Sequence, residues 1–162
     1  MNQTTNTSTN TLTELLAIMA KLRDPATGCP WDLKQDFTSI VPHTLEEAYE
    51  VADCIEKGDF GELKNELGDL LFQVIFYAQL AQEQGLFDFN DVMAGLNNKL
   101  VRRHPHVFAD QQGLTEQQLS EQWQTIKAQE RAAKAEPQSN TLWQDIPANL
   151  PSLSKAKKIQ QR

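Results

Sequence analysis

The sequence predicts an all-α protein, a helical bundle of four to five helices. Three observations carry that expectation. Apolar residues recur at three- and four-residue spacing in five successive segments. No window shows the strict alternation of a half-buried strand. Glycines and prolines fall between the periodic segments, with Gly68 and Gly95 inside them.

Residues 1–11 are almost all Asn and Thr and read as a disordered lead. Leu12, Leu15, Leu16, Ile18, Met19 and Leu22 then place a first helix over 12–23. Residues 24–43 carry Pro25, Gly28, Pro30 and Pro42 and read as a long loop around Gly28-Cys-Pro-Trp-Asp32, a length that marks functional loops. Thr44 with Glu47 three residues on is a capping-box pattern that opens a second helix. Leu45, Ala48, Val51, Ala52 and Ile55 form its apolar face, and Gly58 ends it. Asp59 caps a third helix, whose apolar positions run from Leu63 to Ala81 and stop at Gly85. Asp88 opens a fourth, with Val92, Leu96 and Leu100 inward, and His104-Pro-His106 ends it. Thr115 and Gln118 start a fifth, through Leu119, Trp123 and Ile126 to about Ala135. Residues 136–162 read as a weakly structured tail with a basic end at Lys155, Lys157, Lys158 and Arg162. The expected organisation is thus a lead over 1–11, one helical domain over 12–135 and a tail over 136–162.

The chain has 162 residues, of which 40% are hydrophobic, enough to bury a core without disulfide staples. Its net charge of −7 argues against a nucleic-acid polymer or an anionic membrane as partner, where a basic face supplies the affinity. No apolar run is long enough to span a bilayer, and the start has neither a basic nor an apolar leader segment, so a cytoplasmic location is expected. Cys29 and Cys54 make neither a disulfide framework nor a paired metal motif, and reduced thiols are expected. The sequons at Asn2 and Asn6 carry no weight without an export signal.

Two charged constellations stand out. The second helix offers Glu46, Glu47, Glu50 and Asp53; the third offers Glu62, Glu66 and Asp69. Glu47 and Glu50, like Glu66 and Asp69, are three residues apart and share a helix face, where like charges repel. The short turn Lys57-Gly-Asp59 joins the two helices as an antiparallel hairpin, so the pairs can face each other. At about 100° per residue, Glu62, Glu66, Asp69 and Gln73 lie within about 60° of one another, flanking Leu70 and Tyr77. Carboxylates bordering a buried stripe are costly unless paired or bound to metal. Four converging carboxylates suit a hard divalent cation, Mg²⁺ or Mn²⁺, which takes its remaining ligands from water and substrate phosphates. The competing reading is plainer: Glu47 and Glu62 sit in expected first turns, where acids are common, and exposed acidic faces are usually solvated.

The fourth helix ends in Lys99, Arg102, Arg103 and His104. A helix C-terminus favours bases in any case; the functional reading is a phosphate clamp, since Arg forks match phosphate oxygens. Trp123 and Lys127 lie one turn apart, placed to stack on a base and reach a phosphate, or to serve as core and solvated surface. Trp31 in the Pro-bounded loop needs burial or a ligand, and His104 and His106 read as helix-end residues.

Glu46-Glu-Ala-Tyr-Glu50 followed by Glu66-Leu-Gly-Asp69 resembles the EExxE…ExxD signature of the MazG family of nucleoside triphosphate pyrophosphohydrolases. Lys21-Leu-Arg-Asp-Pro25, Gly28-Cys-Pro-Trp-Asp32, Gly68-Asp-Leu-Leu-Phe-Gln-Val74 and Lys99-Leu-Val-Arg-Arg-His-Pro-His-Val-Phe108 are similar to the same family, and the resemblance covers residues 12–162. It implies an all-α fold completed by homodimerisation or higher oligomerisation, and Mg²⁺-dependent cleavage of NTPs, broad in base preference, to NMP and pyrophosphate. It implies Glu47, Glu50, Glu66 and Asp69 as metal ligands, and Glu46 as an extra ligand or water-orienting base. It also implies Lys99, Arg102 and Arg103 on the triphosphate, with Trp123 and Lys127 near the nucleotide. Many family members carry two tandem copies, and this chain resembles the N-terminal one. A non-catalytic dimerisation copy, or a relative acting on dUTP, phosphoribosyl-ATP or an alarmone, is the alternative.

Overall fold

A computed structural model describes residues 7–109, 113–133 and 146–160. Among them there are eight helices and no strand: α1 (Thr7–Leu22), α2 (Pro30–Leu33), α3 (Phe37–Lys57), α4 (Phe60–Glu83), α5 (Phe89–Arg103), α6 (Pro105–Phe108), α7 (Glu116–Ala133) and α8 (Ser152–Gln160). The chain divides into two compact units, residues 1–100 and 101–162.

In the first unit α3 and α4 form an antiparallel hairpin, and α1 packs on α4. The hairpin's turn follows from two residues. Gly58 takes a left-handed φ of 71°, which lets the Asp59 amide reach back to the Cys54 carbonyl at 2.9 Å. Asp59 then caps α4, accepting from the Glu62 amide at 3.1 Å. The core is Met19, Ile40, Ile75, Phe76, Ala78, Leu80 and Phe89, with Leu15, Leu16, Phe37, Phe72 and Tyr77 packed against it.

The segment expected as a loop over 24–43 is largely ordered into helix. Asp36, not Thr44, is the N-cap of α3: its carboxylate accepts from the Thr38 and Ser39 amides, and its own amide donates to Ser39 Oγ at 2.9 Å. Pro42 therefore lies inside the helix, where a proline normally costs about 3 kcal/mol. The reciprocal cap, the burial of Ile40 and the stacking of Phe37 on Tyr77 at 6.1 Å offset that cost. Thr44 caps nothing; its hydroxyl donates to the Ile40 carbonyl or shares a 2.9 Å hydrogen bond with the Tyr77 hydroxyl.

Between α1 and α3 the chain is pinned from several sides. Asp24 gathers the amides of Ala26 and Thr27 and the Thr27 hydroxyl, which hold its carboxyl below the usual carboxylate range. A Cβ on Gly28 would come within 2.4 Å of the Leu22 carbonyl oxygen, so this close approach admits only glycine. The Arg23 guanidinium forks onto Glu83 at 2.6 and 2.8 Å, donates to the Asp32 and Gln35 carbonyls, and lies 5.3 Å from the Phe76 ring centre.

In the second unit, α7 starts where Thr115 and Gln118 were expected to cap it: the Thr115 amide donates to Gln118 Oε1 at 2.9 Å, and the Gln118 amide to Thr115 Oγ1 at 3.3 Å. Within the expected tail, Ser152–Gln160 form α8. Residues 1–6, 110–112, 134–145 and 161–162 lie outside the described residues.

Candidate metal and nucleotide site

The hairpin brings the expected acidic faces together. Glu47 from α3 and Glu66 and Asp69 from α4 each offer a carboxylate oxygen within 4.8 Å of the other two. Glu47 and Glu66 are half-buried and Asp69 is exposed. Partial burial, then the charges of Asp69, Glu50, Glu66 and Glu46, push the Glu47 carboxyl above its ordinary pKa. Burial, then Glu50, Glu62 and Asp69, do the same to Glu66. Glu50 is outside the tight triad, yet its charge bears on both raised groups. Glu46 is exposed and faces His43, whose Nδ1 lies 3.8 Å from its carboxylate. The edge of the His43 ring in turn meets Trp31, 5.8 Å away and 51% exposed, so Trp31 is not the core residue its size allowed.

Among the described residues no Lys or Arg forms an ion pair with the triad; the Lys57 ammonium bonds to Asp53 and the Arg23 guanidinium to Glu83. Three carboxylates, two of them raised, are a donor set of all-oxygen chemistry. Cys54 adds no thiolate to it: burial and the nearby charges of Glu66, Asp59, Asp53 and Glu62 push that thiol up. One further polar atom is left without a partner nearby in the sequence, the buried Oε1 of Gln73, one turn beyond Asp69 on α4. The residues present therefore fit a hard divalent cation.

The basic residues are placed within the chain as follows. Lys99 stands exposed on α5. Arg102 and Arg103 are both engaged by Glu130 of α7, at 2.5 Å from their terminal nitrogens, an arrangement the sequence did not suggest. The two guanidinium groups hold the Glu130 carboxyl down at about 2. Lys127 Nζ lies 4.3 Å from the Trp123 ring centre, over its face. Trp123, Lys127 and Glu130 follow at four and three residues, one face of α7. That spacing is the signal by which Glu130 was open to notice.

An all-α hairpin that brings carboxylates from two antiparallel helices together marks a class: helical proteins whose paired acidic faces fit a divalent cation. Residues 35–108 match the model of the MazG nucleotide pyrophosphohydrolase domain. The chain is 54% identical over 94% of its length to the Escherichia coli (strain K12) nucleoside triphosphate pyrophosphohydrolase. It is 45% identical over 91% of its length to the Thermotoga maritima nucleoside triphosphate pyrophosphohydrolase/pyrophosphatase MazG. A crystal structure of a mazG-related protein from Thermotoga maritima superposes with a TM-score of 0.60 at 26% identity, over 72% of this chain and 98% of that one. The chain belongs to the MazG family. It spans 57% of the length of the first of these relatives and 54% of the second.

Proposed function

We propose that the chain hydrolyses nucleoside triphosphates to the monophosphate and pyrophosphate, using Mg²⁺, with Mn²⁺ as a substitute, held by Glu47, Glu50, Glu66 and Asp69. The observation that carries this reading is the Glu47–Glu66–Asp69 triad, converging within 4.8 Å inside the matched MazG segment. When bound, the cation polarises phosphoryl oxygens and lowers the pKa of water.

The chain's own residues do the rest. Glu46, exposed and held only loosely by His43, orients the attacking water or accepts its proton. Water oxygen bonds to the α-phosphorus, the bond to the α–β bridging oxygen breaks, and pyrophosphate leaves with its negative charge increased. Lys99, Arg102 and Arg103 stabilise that charge. Arg102 and Arg103 exchange the Glu130 carboxylate for phosphate oxygens, an exchange of one bidentate anion for another. Trp123 stacks on the base, and Lys127, now over its ring, moves to a phosphate.

A second copy of the chain is the proposed partner. Val41, Leu45 and Ile55 on α3, and Leu67, Leu71 and Val74 on α4, follow helical stripes and are exposed. No helix of the described residues is long and apolar enough to cross a membrane, which accords with a cytoplasmic enzyme.

The test is pyrophosphate release from each common NTP and dNTP, with Mg²⁺ and with EDTA, beside Glu50→Ala. Metal-dependent release lost in the variant is expected; release that persists in EDTA or in Glu50→Ala would refute it. The second reading, a non-catalytic assembly copy, is favoured by the engagement of both arginines by Glu130. It predicts oligomers by light scattering without any release.

A further inference from the structure

We propose that Gln73 completes the cation site from the outer sphere: its side-chain carbonyl accepts a hydrogen bond from a water in the hydration shell of the cation held by Glu47, Glu66 and Asp69. The inference rests on the cation reading above and adds to it a residue outside the acidic signature.

Gln73 is only 6% exposed, and its buried Oε1 has no hydrogen-bond partner. Buried carbonyl oxygens are nearly always paired, so an orphan marks a missing partner. The register of α4 says where that partner lies. Gln73 is four residues from Asp69 and seven from Glu66, and its azimuth falls between theirs. Helical side chains lean toward the N-terminal turn, which here is the turn carrying Asp69, with Glu66 one turn further back on the same face. On the other side, the next turn of the hairpin is already satisfied. Tyr77 and Thr44 hydrogen-bond each other at 2.9 Å, and Thr44 also reaches the Ile40 carbonyl. By register, Gln73 stands on α4 between the turn of the Thr44–Tyr77 hydroxyl pair and the turns that carry Asp69 and Glu66. Mg²⁺ keeps several of its waters, and each is a strong donor in need of an acceptor. The carboxylates of Glu47, Glu50, Glu66 and Asp69 bind the metal in this reading, and the neutral buried carbonyl of Gln73 is a further acceptor for one of its waters. Such outer-shell partners orient the first shell and tune metal affinity.

The experiment is calorimetric titration of Mg²⁺ into the nucleotide-free full chain, beside the melting temperature without metal. Gln73→Leu is expected to weaken Mg²⁺ binding about 10-fold, while melting without metal at or above the parent, because an orphaned buried acceptor is gone. Gln73→Glu keeps an acceptor oxygen and is expected to bind Mg²⁺ at least as tightly as the parent. If Gln73→Leu does not fold, Gln73→Met carries the same comparison. Unchanged Mg²⁺ affinity in the apolar variant overturns the role of Gln73 alone. So does a loss of affinity in Gln73→Glu together with a lower metal-free melting temperature in both variants, which would assign Gln73 to packing. A parent chain that binds no Mg²⁺ overturns the cation reading and this inference with it.

Discussion

Replacing Glu47 with Gln is expected to stabilise the metal-free protein and destabilise the metal-loaded one relative to the parent. Glu47 and Asp69 approach within 4.8 Å, and after burial the Asp69 charge is the strongest influence raising the Glu47 carboxyl. Coulomb's law puts two unit charges at that distance about 0.9 kcal/mol apart from neutrality in water and about 3.5 kcal/mol at an effective dielectric of about 20. Asp69 is exposed, so the lower figure is nearer, and relief of about 1 kcal/mol is expected on Glu47→Gln. For a chain of this size that is a rise of about 2–4 °C in melting temperature. The gain should shrink in about 1 M salt, where the Debye length is about 3 Å. With Mg²⁺ at about 100 times its dissociation constant, the parent gains about 2.7 kcal/mol from binding. The variant, having lost a ligand, gains little, and the order of the two melting temperatures reverses. Thermal melts near neutral pH, with EDTA and across a Mg²⁺ titration, read both signs. A variant that melts below the parent by the same amount in EDTA and in Mg²⁺ would refute the reasoning: Glu47 would then be structural and the triad a solvated surface.

Three further outcomes follow from the same structure. Glu130 has its pKa held at about 2 against an unfolded value near 4.5, so its ion pairs with Arg102 and Arg103 contribute fully above about pH 4.5 and are lost as pH falls toward 2. Glu130→Gln should flatten that acid limb in melts across pH, while an unchanged limb would show that the ion pairs carry none of it. Glu83→Gln strips the charge partner from Arg23, whose side chain is 8% exposed; because Glu83 is itself about a third exposed, the cost should be about 1–3 kcal/mol by urea denaturation rather than that of a fully buried pair, and a neutral result would mean that the Asp32 and Gln35 carbonyls alone hold the guanidinium. Phe76, fully buried beneath Arg23, should cost about 3–5 kcal/mol on Phe76→Ala, and a loss below 1 kcal/mol would mean that the core closes over the cavity.

What the sequence made legible, and what it hid, divides along the range of the interaction. The acidic triad was open to reading because Glu66 and Asp69 are an i, i+3 pair on one helix, Glu47 lies on the acidic face of the other, and the two helices are joined by a turn whose glycine and aspartate have local reasons to be there. The cap of α7 at Thr115 and Gln118 was legible for the same local reason. The start of α3 was misplaced because Pro42 reads locally as a helix breaker; the Phe37–Tyr77 stack that helps hold this stretch helical depends on α4, more than thirty residues away. Arg23 and Glu83, sixty positions apart, leave no trace in either one's neighbourhood. Gln73 stands between these cases. Its azimuth beside Glu66 and Asp69 is a matter of counting residues, but the burial that leaves its carbonyl without a partner is set by helices packed around α4. The acidic face of the site is therefore written locally, whereas its floor is written in the core. A variant at Gln73 asks whether that floor serves the metal, and a variant at Glu47 asks whether the charges above it do.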